Sequence, residues 1–360
     1  MTTNWQFDKA FLEAAIAKGE RMLKDERLSR TKKQCIRYDI ATFKRFLTGE
    51  FEYNDTTTFR TPKDIEKLKE YVLRKMQKQY KLLGENLINW IISLSDEEIF
   101  KMQEFSPTTN LSIDEQADLT IKTYEEHSKL FLPTVKKIIK DDTIKQIQCV
   151  EGLDTSYCHH DDITGLPYII IDPHQASWTL CHETEHAIEG FLGLPRHNLN
   201  LELGSQLFEM LHTEELYKQQ GFVTYGDFQD RVDDTNYFLT SLSEYFKTMK
   251  AFAELNFNVP TDLFLETIIS NHTLIPDEVI PFIKEEYATD EQIDNMNYLF
   301  SYLSAIDARE KTLNTHEDAS TMLEPYFTRR FVFKYPQDGF KPYKRYVEEM
   351  HQKVKTKKQD

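Results

Sequence analysis

The sequence predicts a mostly helical protein with one small β element. Glycine and proline, which interrupt helices, number only 11 and 12 in 360 residues. Apolar side chains recur with helical spacing through most of the chain, as at Leu68, Val72 and Met76. Two short segments, 144–150 and 167–171, are instead typical of strands. We therefore expect a mostly α fold in which strands are a minor part.

The first part of the chain is predicted to be helical up to a break at residues 106–110. This segment, Ser-Pro-Thr-Thr-Asn, combines several turn-forming residues. A shorter break of the same kind lies at residues 54–58. We therefore divide the chain into an N-terminal helical region, 1–105, and a second region, 106–360, which opens with a helix predicted over 113–139.

The two predicted strands are joined by a polar loop. The loop contains a His-His-Asp-Asp cluster at residues 159–162, which by composition alone could bind a metal ion. Adjacent residues on a loop seldom converge on one ion, so a solvated loop is the favoured interpretation. The second strand, Pro167–Ile171, leads into the next helix, and as an edge strand it could bind an extended peptide by β-addition.

A helix is predicted after this strand, and it contains His-Glu-Thr-Glu-His at residues 182–186. Asp172 is typical of an N-cap, with Pro173 at the first helical position and Gln175 completing a capping box. Gly193 is typical of the end of a helix. These signals predict a helix of roughly twenty residues, with the five-residue motif about two turns from its start.

The spacing of His182 and His186 is that of two metal ligands on one helical face. Residues four apart lie one above the other, so both imidazoles can reach one ion. Glu183 lies about 100° round the helix, close enough to act on a water molecule at the metal. This is the H-E-x-x-H pattern of zinc hydrolases. A chance match has odds of roughly a few in a hundred, and solvated or core histidines are the alternative.

A second helix is predicted over 199–220 and ends at Gly221. It is mostly apolar but carries a polar stripe of Glu202, Gln206 and Glu209. A carboxylate is costly to bury unless it meets a cation or a metal ion. Glu202 is our candidate for the third metal ligand, because a glutamate completes the His-His-Glu set of catalytic zinc sites. The alternative is that both glutamates pair with Lys or Arg at the surface.

Further helices are predicted over 222–288, interrupted at 258–260 and 276–277, and another begins at a capping box over 289–292. The last of these carries Tyr298 and Tyr302, one turn apart. Tyrosine pairs at helical spacing usually pack in a core while their hydroxyls reach water. Spacing alone therefore gives them no catalytic role.

With these residues in place, the chain resembles the thimet oligopeptidase / oligoendopeptidase F family of zinc metallopeptidases, as a distant and short member. The resemblance rests on three stretches in the family's order: PYIIIDPHQASWTLCHETEHAIEGFL, ELGSQLFEML and YLFSYLSAIDA. A weaker match is LSIDEQADLTIKTYEEH, and the matches together span about residues 110 to 330.

The resemblance implies a helical zincin-type metallopeptidase with a deep channel between two helical halves, in which 106–360 is the catalytic region. It implies one zinc ion per chain, bound by His182, His186 and Glu202. Glu183 would be the general base.

The resemblance also implies roles for three residues around the ligands. Glu209 would be a carboxylate that supports the metal ligands without binding the metal itself. Tyr302 would hydrogen-bond the tetrahedral intermediate, and Tyr298 would line the same pocket. The chain departs from the family at Glu185, where the family has glycine before the second histidine, and in its short N-terminal part.

The composition argues against some classes of function and location. A net charge of −16 argues against binding to nucleic acid, which needs a basic surface. The N-terminus has no signal-peptide pattern, and no apolar run approaches the roughly 18 residues of a membrane span. The four widely spaced cysteines are typical of thiols in a reducing compartment. We therefore expect a cytoplasmic protein without membrane or nucleic-acid partners.

The expected function is zinc-dependent hydrolysis of short, unstructured peptides. The main alternative is a peptide-binding protein that retains the zinc fold but has little or no hydrolysis, and it is motivated by Glu185. The presence of Glu183 favours an enzyme over a binding protein, because a site without catalytic activity does not require a general base. A zinc hydrolase acting on a non-peptide substrate is a third possibility, which the ligands alone do not separate from a peptidase.

Overall fold

The computed structural model describes residues 6–49, 65–95, 108–140, 146–153, 155–193, 202–270, 291–323 and 341–354. As predicted, these residues are mostly helical and include one small sheet. The helices are α1 (Lys9–Met22), α2 (Arg30–Thr48), α3 (Ile65–Leu83), α4 (Glu85–Ser95), α5 (Ile113–His127), α6 (Leu132–Lys140), α7 (Thr179–Leu192), α8 (Leu203–Gln220), α9 (Gly226–Glu254), α10 (Thr261–Ser270), α11 (Glu291–Thr315), α12 (Ala319–Leu323) and α13 (Lys341–Lys353). The strands are β1 (Ile147–Cys149), β2 (Tyr157–His160) and β3 (Pro167–Ile171). None of these helices is long and apolar enough to cross a membrane.

The three strands form one sheet in the order β1-β3-β2, so β3 lies in the centre. Strand β1 runs parallel to β3, and β2 runs antiparallel to it. Ile169 and Ile171 of β3 belong to the main core, whereas Tyr168 and Ile170 belong to a second core on the opposite face. Burial on both faces explains why β3 is an unbroken apolar run.

Two expectations about this sheet are wrong. Strand β3 has a partner on each side, so it is not an edge strand that could accept a peptide by β-addition. Part of the predicted polar loop is strand β2, whose residues are mostly half-buried and so lack an apolar signal. His159 of this strand lies 2.7 Å from Asp39 Oδ1 of α2. Within the described residues, the cluster at 159–162 contributes to no group that could hold a metal ion.

The second core joins α1 and α2 to the sheet. The rings of Phe7 and Phe43 each lie 5.7 Å, between centroids, from the ring of Tyr168. The backbone N–H of Phe7 donates to Gln148 Oε1 at 2.8 Å. Helices α3 and α4 pack instead against α9. The predicted N-terminal region therefore contacts two different parts of the molecule, while its boundary at residues 105 and 106 lies outside the described residues.

The helix predicted over 113–139 is two helices, α5 and α6. Helix α5 ends at His127, and the N–H of the C-cap residue Ser128 donates to the carbonyl of Tyr124 at 2.9 Å. Pro133 in the first turn of α6 explains the break, because inside a continuous helix its ring would clash with the carbonyl four residues earlier.

The other predicted breaks have different outcomes. The one at 258–260 separates α9 from α10 as expected. Those at 54–58 and 276–277, like residues 106, 107, 289 and 290, lie outside the described residues.

Helix α8 lies in the middle of the main core, where it packs against α5, α7 and α11. Every residue over 203–216 is buried, including several charged ones. Buried charges need partners, and Glu214 has Arg309 of α11 and Lys353 of α13. The helix ends as predicted at Gly221, whose φ of 79° is left-handed.

Candidate metal centre

Helix α7 carries the two histidines and is shorter than predicted. It has 14 residues and starts at Thr179, so His182 lies one turn rather than two from its start. It ends as predicted at Gly193, whose φ of 63° is in the left-handed region that suits glycine.

Asp172 caps a turn and not the helix. One of its carboxylate oxygens accepts a hydrogen bond from the N–H of His174 at 2.9 Å, and the other accepts one from Gly152 at 2.7 Å. Gly152 follows β1 and Asp172 follows β3, so this bond ties two loops together at one end of the sheet. The predicted capping box at Asp172 and Gln175 is therefore wrong, because a contact between distant segments has taken the carboxylate.

His182, His186 and Glu202 meet between α7 and the start of α8. One possible ligand atom from each lies within 4.8 Å of the others. Glu202 Oε2 is 3.1 Å from His186 Nε2 and 3.4 Å from His182 Nε2. The three side chains are 7–12% exposed. In the part of the chain that the structure describes, no other group of this kind could hold a metal ion.

These separations are close to those around a tetrahedral metal ion. Metal–ligand bonds of about 2.0–2.2 Å at tetrahedral angles separate neighbouring ligand atoms by about 3.3–3.6 Å. The Glu202–His182 distance of 3.4 Å falls in this range, and the Glu202–His186 distance of 3.1 Å is slightly below it. Two imidazoles and one carboxylate leave a fourth position for water or substrate. Burial alone would raise the pKa of Glu202, but the rings of His186 and His182 hold it well below its usual value. Glu202 is therefore an ionised donor.

Glu202 occupies the N-cap position of α8, which begins at Leu203. The helix predicted over 199–220 thus starts later than expected, and residues 199–201 lie outside the described part. The Glu202 side chain makes no capping hydrogen bond to α8. Its carboxylate is directed at the histidines instead.

Glu209 contacts the Nδ1 side of the His182 ring, whereas Glu202 faces Nε2. Glu209 Oε2 is 3.1 Å from His182 Nδ1, and the Glu209 side chain is 4% exposed. A carboxylate at Nδ1 fixes the tautomer with the proton on that nitrogen, which leaves Nε2 available to a metal. The alternative in which Glu202 and Glu209 form surface ion pairs is wrong, because both carboxylates are buried against histidines. Gln206, the third residue of the stripe, donates to the carbonyl of Tyr298 at 3.4 Å.

Sequence reasoning missed Ser205. Its hydroxyl oxygen lies 3.1 Å from each ring nitrogen of His186. Helical spacing could have identified it, because a residue three positions after Glu202 lies on the same side of α8.

Two further carboxylates of the motif are buried on α7. Glu183 is 6% exposed and Glu185 is fully buried. The hydroxyl of Tyr124, on α5, donates to Glu185 Oε2 at 2.7 Å. Tyr124 could not have been identified from local sequence, because 61 residues separate it from its partner.

Tyr302 and Tyr298 lie on α11, which packs against α8. The ring of Tyr302 is 2% exposed and lies 6.2 and 6.3 Å, between centroids, from Tyr343 and Tyr346 of α13. Tyr298 is half-buried, and its ring stacks on Phe238 of α9 at 5.4 Å. These ring contacts are packing contacts, as helical spacing suggested, but the hydroxyl oxygen of Tyr302 is buried and does not reach water as expected.

Comparison of this chain with family models, with curated proteins and with solved structures gave no match. The resemblance to the thimet oligopeptidase / oligoendopeptidase F family therefore stays a prediction.

Proposed function

We propose that this protein is a zinc-dependent endopeptidase that hydrolyses short, unstructured peptides. The convergence of His182, His186 and Glu202 carries the proposal. Nitrogen and carboxylate donors in this combination are typical of catalytic zinc, and three protein ligands leave one position open. Zinc held there would supply Lewis acidity, which makes water a usable nucleophile near neutral pH.

The protein's own residues then have the following roles. Glu183 accepts a proton from the attacking water and later donates it to the leaving amine. Glu209 holds the His182 ring in the tautomer that presents Nε2. Ser205 contacts the ring of His186 and limits its rotation.

Tyr302 is proposed to donate a hydrogen bond to the oxyanion of the tetrahedral intermediate, and Tyr298 to line the same pocket. The family resemblance supports these roles, together with the packing of α11 against α8. The same resemblance is the basis for proposing a zincin-type fold with a deep channel between helical halves. A single oxyanion donor contributes about 2.7–4 kcal/mol to transition-state stabilisation.

The test combines metal analysis with a digest of mixed peptides. The parent protein should contain about one zinc ion per chain and cleave peptides, and His182→Ala should lose both properties. Glu183→Gln should keep the zinc but lose hydrolysis, because an amide of the same shape cannot accept the proton. Glu244→Gln, at a carboxylate whose side chain is 54% exposed on α9, is the matched control and should behave as the parent does. A Glu183→Gln protein that cleaves at the parent rate would remove Glu183 from the mechanism.

Glu185 keeps a second candidate open, a zinc-containing protein that binds peptides without cleaving them. The family resemblance places glycine at this position, and the chain has a buried carboxylate there instead. Zinc and saturable peptide binding in the parent, with no cleavage above that of Glu183→Gln, would favour this candidate over the peptidase.

A further inference from the structure

Glu185 is a carboxylate buried at the junction of three helices. It lies on α7 directly before His186, and its side chain is fully buried. Tyr124 of α5 donates a hydrogen bond to Oε2 at 2.7 Å. The ring of Tyr124 is in turn stacked on Phe208 of α8, with centroids 4.1 Å apart and planes 11° from parallel. Both ends of the Tyr124 side chain are therefore engaged.

The carboxylate of Glu185 occupies the space that a side chain at Gly204 would fill. A Cβ atom added to Gly204 would lie 2.8 Å from Glu185 Oε1 and 2.9 Å from its Cγ. Gly204 is the second residue of α8 and lies between Glu202 and Ser205 in the chain. The absence of a side chain at this position lets α7 and α8 approach each other beside the metal ligands.

This contact falls on the first turn of α8, directly after Glu202. Glu202 occupies the N-cap position of that helix but makes no capping hydrogen bond, and its carboxylate lies against His182 and His186. A change in the separation of α7 and α8 at Gly204 would therefore move Glu202 relative to the histidines.

We propose that Glu185 is a positioning residue for the metal centre. Anchored by Tyr124, its carboxylate fills the space beside Gly204 in the first turn of α8 and sets how closely α7 and α8 approach each other there. This separation sets the positions of Glu202 and Ser205, which lie close to Gly204 in the chain and both contact His186. The departure from the family's glycine is accommodated by the glycine at 204 on the facing helix. This inference rests on the metal site of the proposed function and not on its catalytic step.

The test uses the full-length protein and two readouts that do not depend on catalysis. Zinc affinity is measured by competition with a chromophoric chelator. The visible absorption spectrum of the protein loaded with Co²⁺ reports the geometry around the metal. Gly204→Ala should weaken zinc binding by about 10–100-fold, as is usual when a group supporting a ligand is lost, and should change the cobalt spectrum. Glu185→Ala should do the same.

A double-mutant cycle distinguishes positioning from general damage. If Gly204 serves only to make room for Glu185, the double variant should bind zinc about as well as Glu185→Ala alone, so that the two losses are not additive. Fully additive losses would overturn the proposed contact. Parent-like zinc affinity and an unchanged cobalt spectrum in Gly204→Ala would overturn the positioning role.

Two variants of nearly unchanged shape keep the test decisive if the others fail to fold. Glu185→Gln should weaken zinc binding by about fivefold, the equivalent of roughly one hydrogen bond, because an amide that keeps the bond from Tyr124 must place its NH2 group beside Gly204. Tyr124→Phe should also weaken it. Tyr245→Phe is the matched control, since it removes another buried hydroxyl, one that bonds Gln79, away from the metal group. Equal effects of the Tyr124 and Tyr245 variants would overturn the proposal.

The positioning role and the proposed function can fail separately. A parent protein that binds zinc but cleaves no peptide would refute the peptidase while leaving every measurement above interpretable. A parent protein that binds neither zinc nor Co²⁺ would overturn both.

Discussion

At the scale of single residues, the imidazole of His182 contacts two carboxylates with different consequences. Nε2 faces Glu202 and Nδ1 faces Glu209. Glu202 also lies beside His186, so it can share an ion with both rings, whereas Glu209 contacts the side of His182 that a metal would not use. The two acids should therefore differ in their effect on metal binding.

We expect Glu202→Ala to lose the metal and Glu209→Ala to weaken its binding by about 10–100-fold. The first change removes a donor atom, and the second removes only the partner that orients one. Zinc affinities of the two variants and the parent, measured at one pH, check the ranking. A weaker site in Glu209→Ala than in Glu202→Ala would exchange the two roles.

Tyr302 gives a second prediction at this scale. If its hydroxyl stabilises only the transition state, Tyr302→Phe lowers kcat far more than it raises KM. Tyr343→Phe, in the same aromatic cluster, is the control for packing and should leave kcat unchanged. Unchanged turnover together with a lower Tm in Tyr302→Phe would instead show that the tyrosine is a packing residue.

At the scale of elements, helix α13 is joined to the core by a cluster of ion pairs. Arg309 of α11, which is 3% exposed, bonds Glu214 of α8 and Glu349 of α13, and Lys353 bonds both acids at 2.7 Å. The ring of Tyr346 lies 5.0 Å from the Arg309 guanidinium. The cluster thus ties α13 to α11 and to α8, the helix that begins beside the metal group.

Removing the central cation should destabilise the protein strongly. Arg309→Met leaves the buried Glu214 with Lys353 as its remaining cation, so the typical cost of about 3–5 kcal/mol for losing one member of a buried pair is the upper limit expected here. Urea unfolding of the metal-free protein measures this. Lys311→Met, which breaks an exposed pair with Asp307 on the same helix, is the control and should change stability by less than about 1 kcal/mol.

The same interactions predict how stability depends on pH. Burial alone would raise the pKa values of Glu215 and Glu349, but bonds from His127 and Lys218 lower the first to about 2, and bonds from Arg309 and Lys353 lower the second to about 2. In the unfolded chain both titrate near their ordinary value of about 4.3. Their contribution is therefore fully present above pH ~4.3 and is lost as the pH falls towards ~2.

Acid titration of the metal-free protein checks this sign. The parent should lose unfolding free energy between pH ~5 and ~2, and Glu215→Gln should show a shallower loss over that range. A variant whose stability falls as steeply as that of the parent would contradict the assignment.

The elements also indicate what the sequence could and could not predict. The glycine that ends α7 is a local feature, and it is predicted correctly. The spacing of His182 and His186 is also local, and the structure brings both side chains together with Glu202. The start of α7 is not predicted correctly, because the carboxylate of Asp172 bonds Gly152 and not the helix. The contact of Glu185 with Gly204 joins two different helices, α7 and α8. The periodicity within either helix therefore does not predict it.

At the scale of the whole molecule, the proposed channel makes substrate size the decisive property. Helical walls around a deep site would admit an extended chain but exclude a folded domain, since a domain of 100 residues has a radius of gyration near ~13 Å. The central position of β3 in the sheet removes it as a binding edge, so under the proposed function a peptide would have to bind through other residues.

We expect cleavage of oligopeptides and of an unfolded protein but not of the same protein when folded. A graded set of substrates followed by mass spectrometry makes the comparison, with Glu183→Gln as the blank. Nicking of surface loops in the folded protein, at rates comparable to those of the free peptides, would rule out a channel.

The position of β3 between two cores also affects the order in which parts of the chain can fold during synthesis. Phe7 meets Gln148 across 141 residues of sequence, and the strand that it packs against comes later still. At about 5–20 residues per second, a ribosome needs roughly 7–30 s to produce that intervening stretch. During this interval the apolar sides of α1 and α2 have no sheet to cover, which makes the nascent chain a candidate client for a holding chaperone. Protease protection of Phe7 and Phe43 in ribosome-bound chains that stop before residue 147 would refute this order of events.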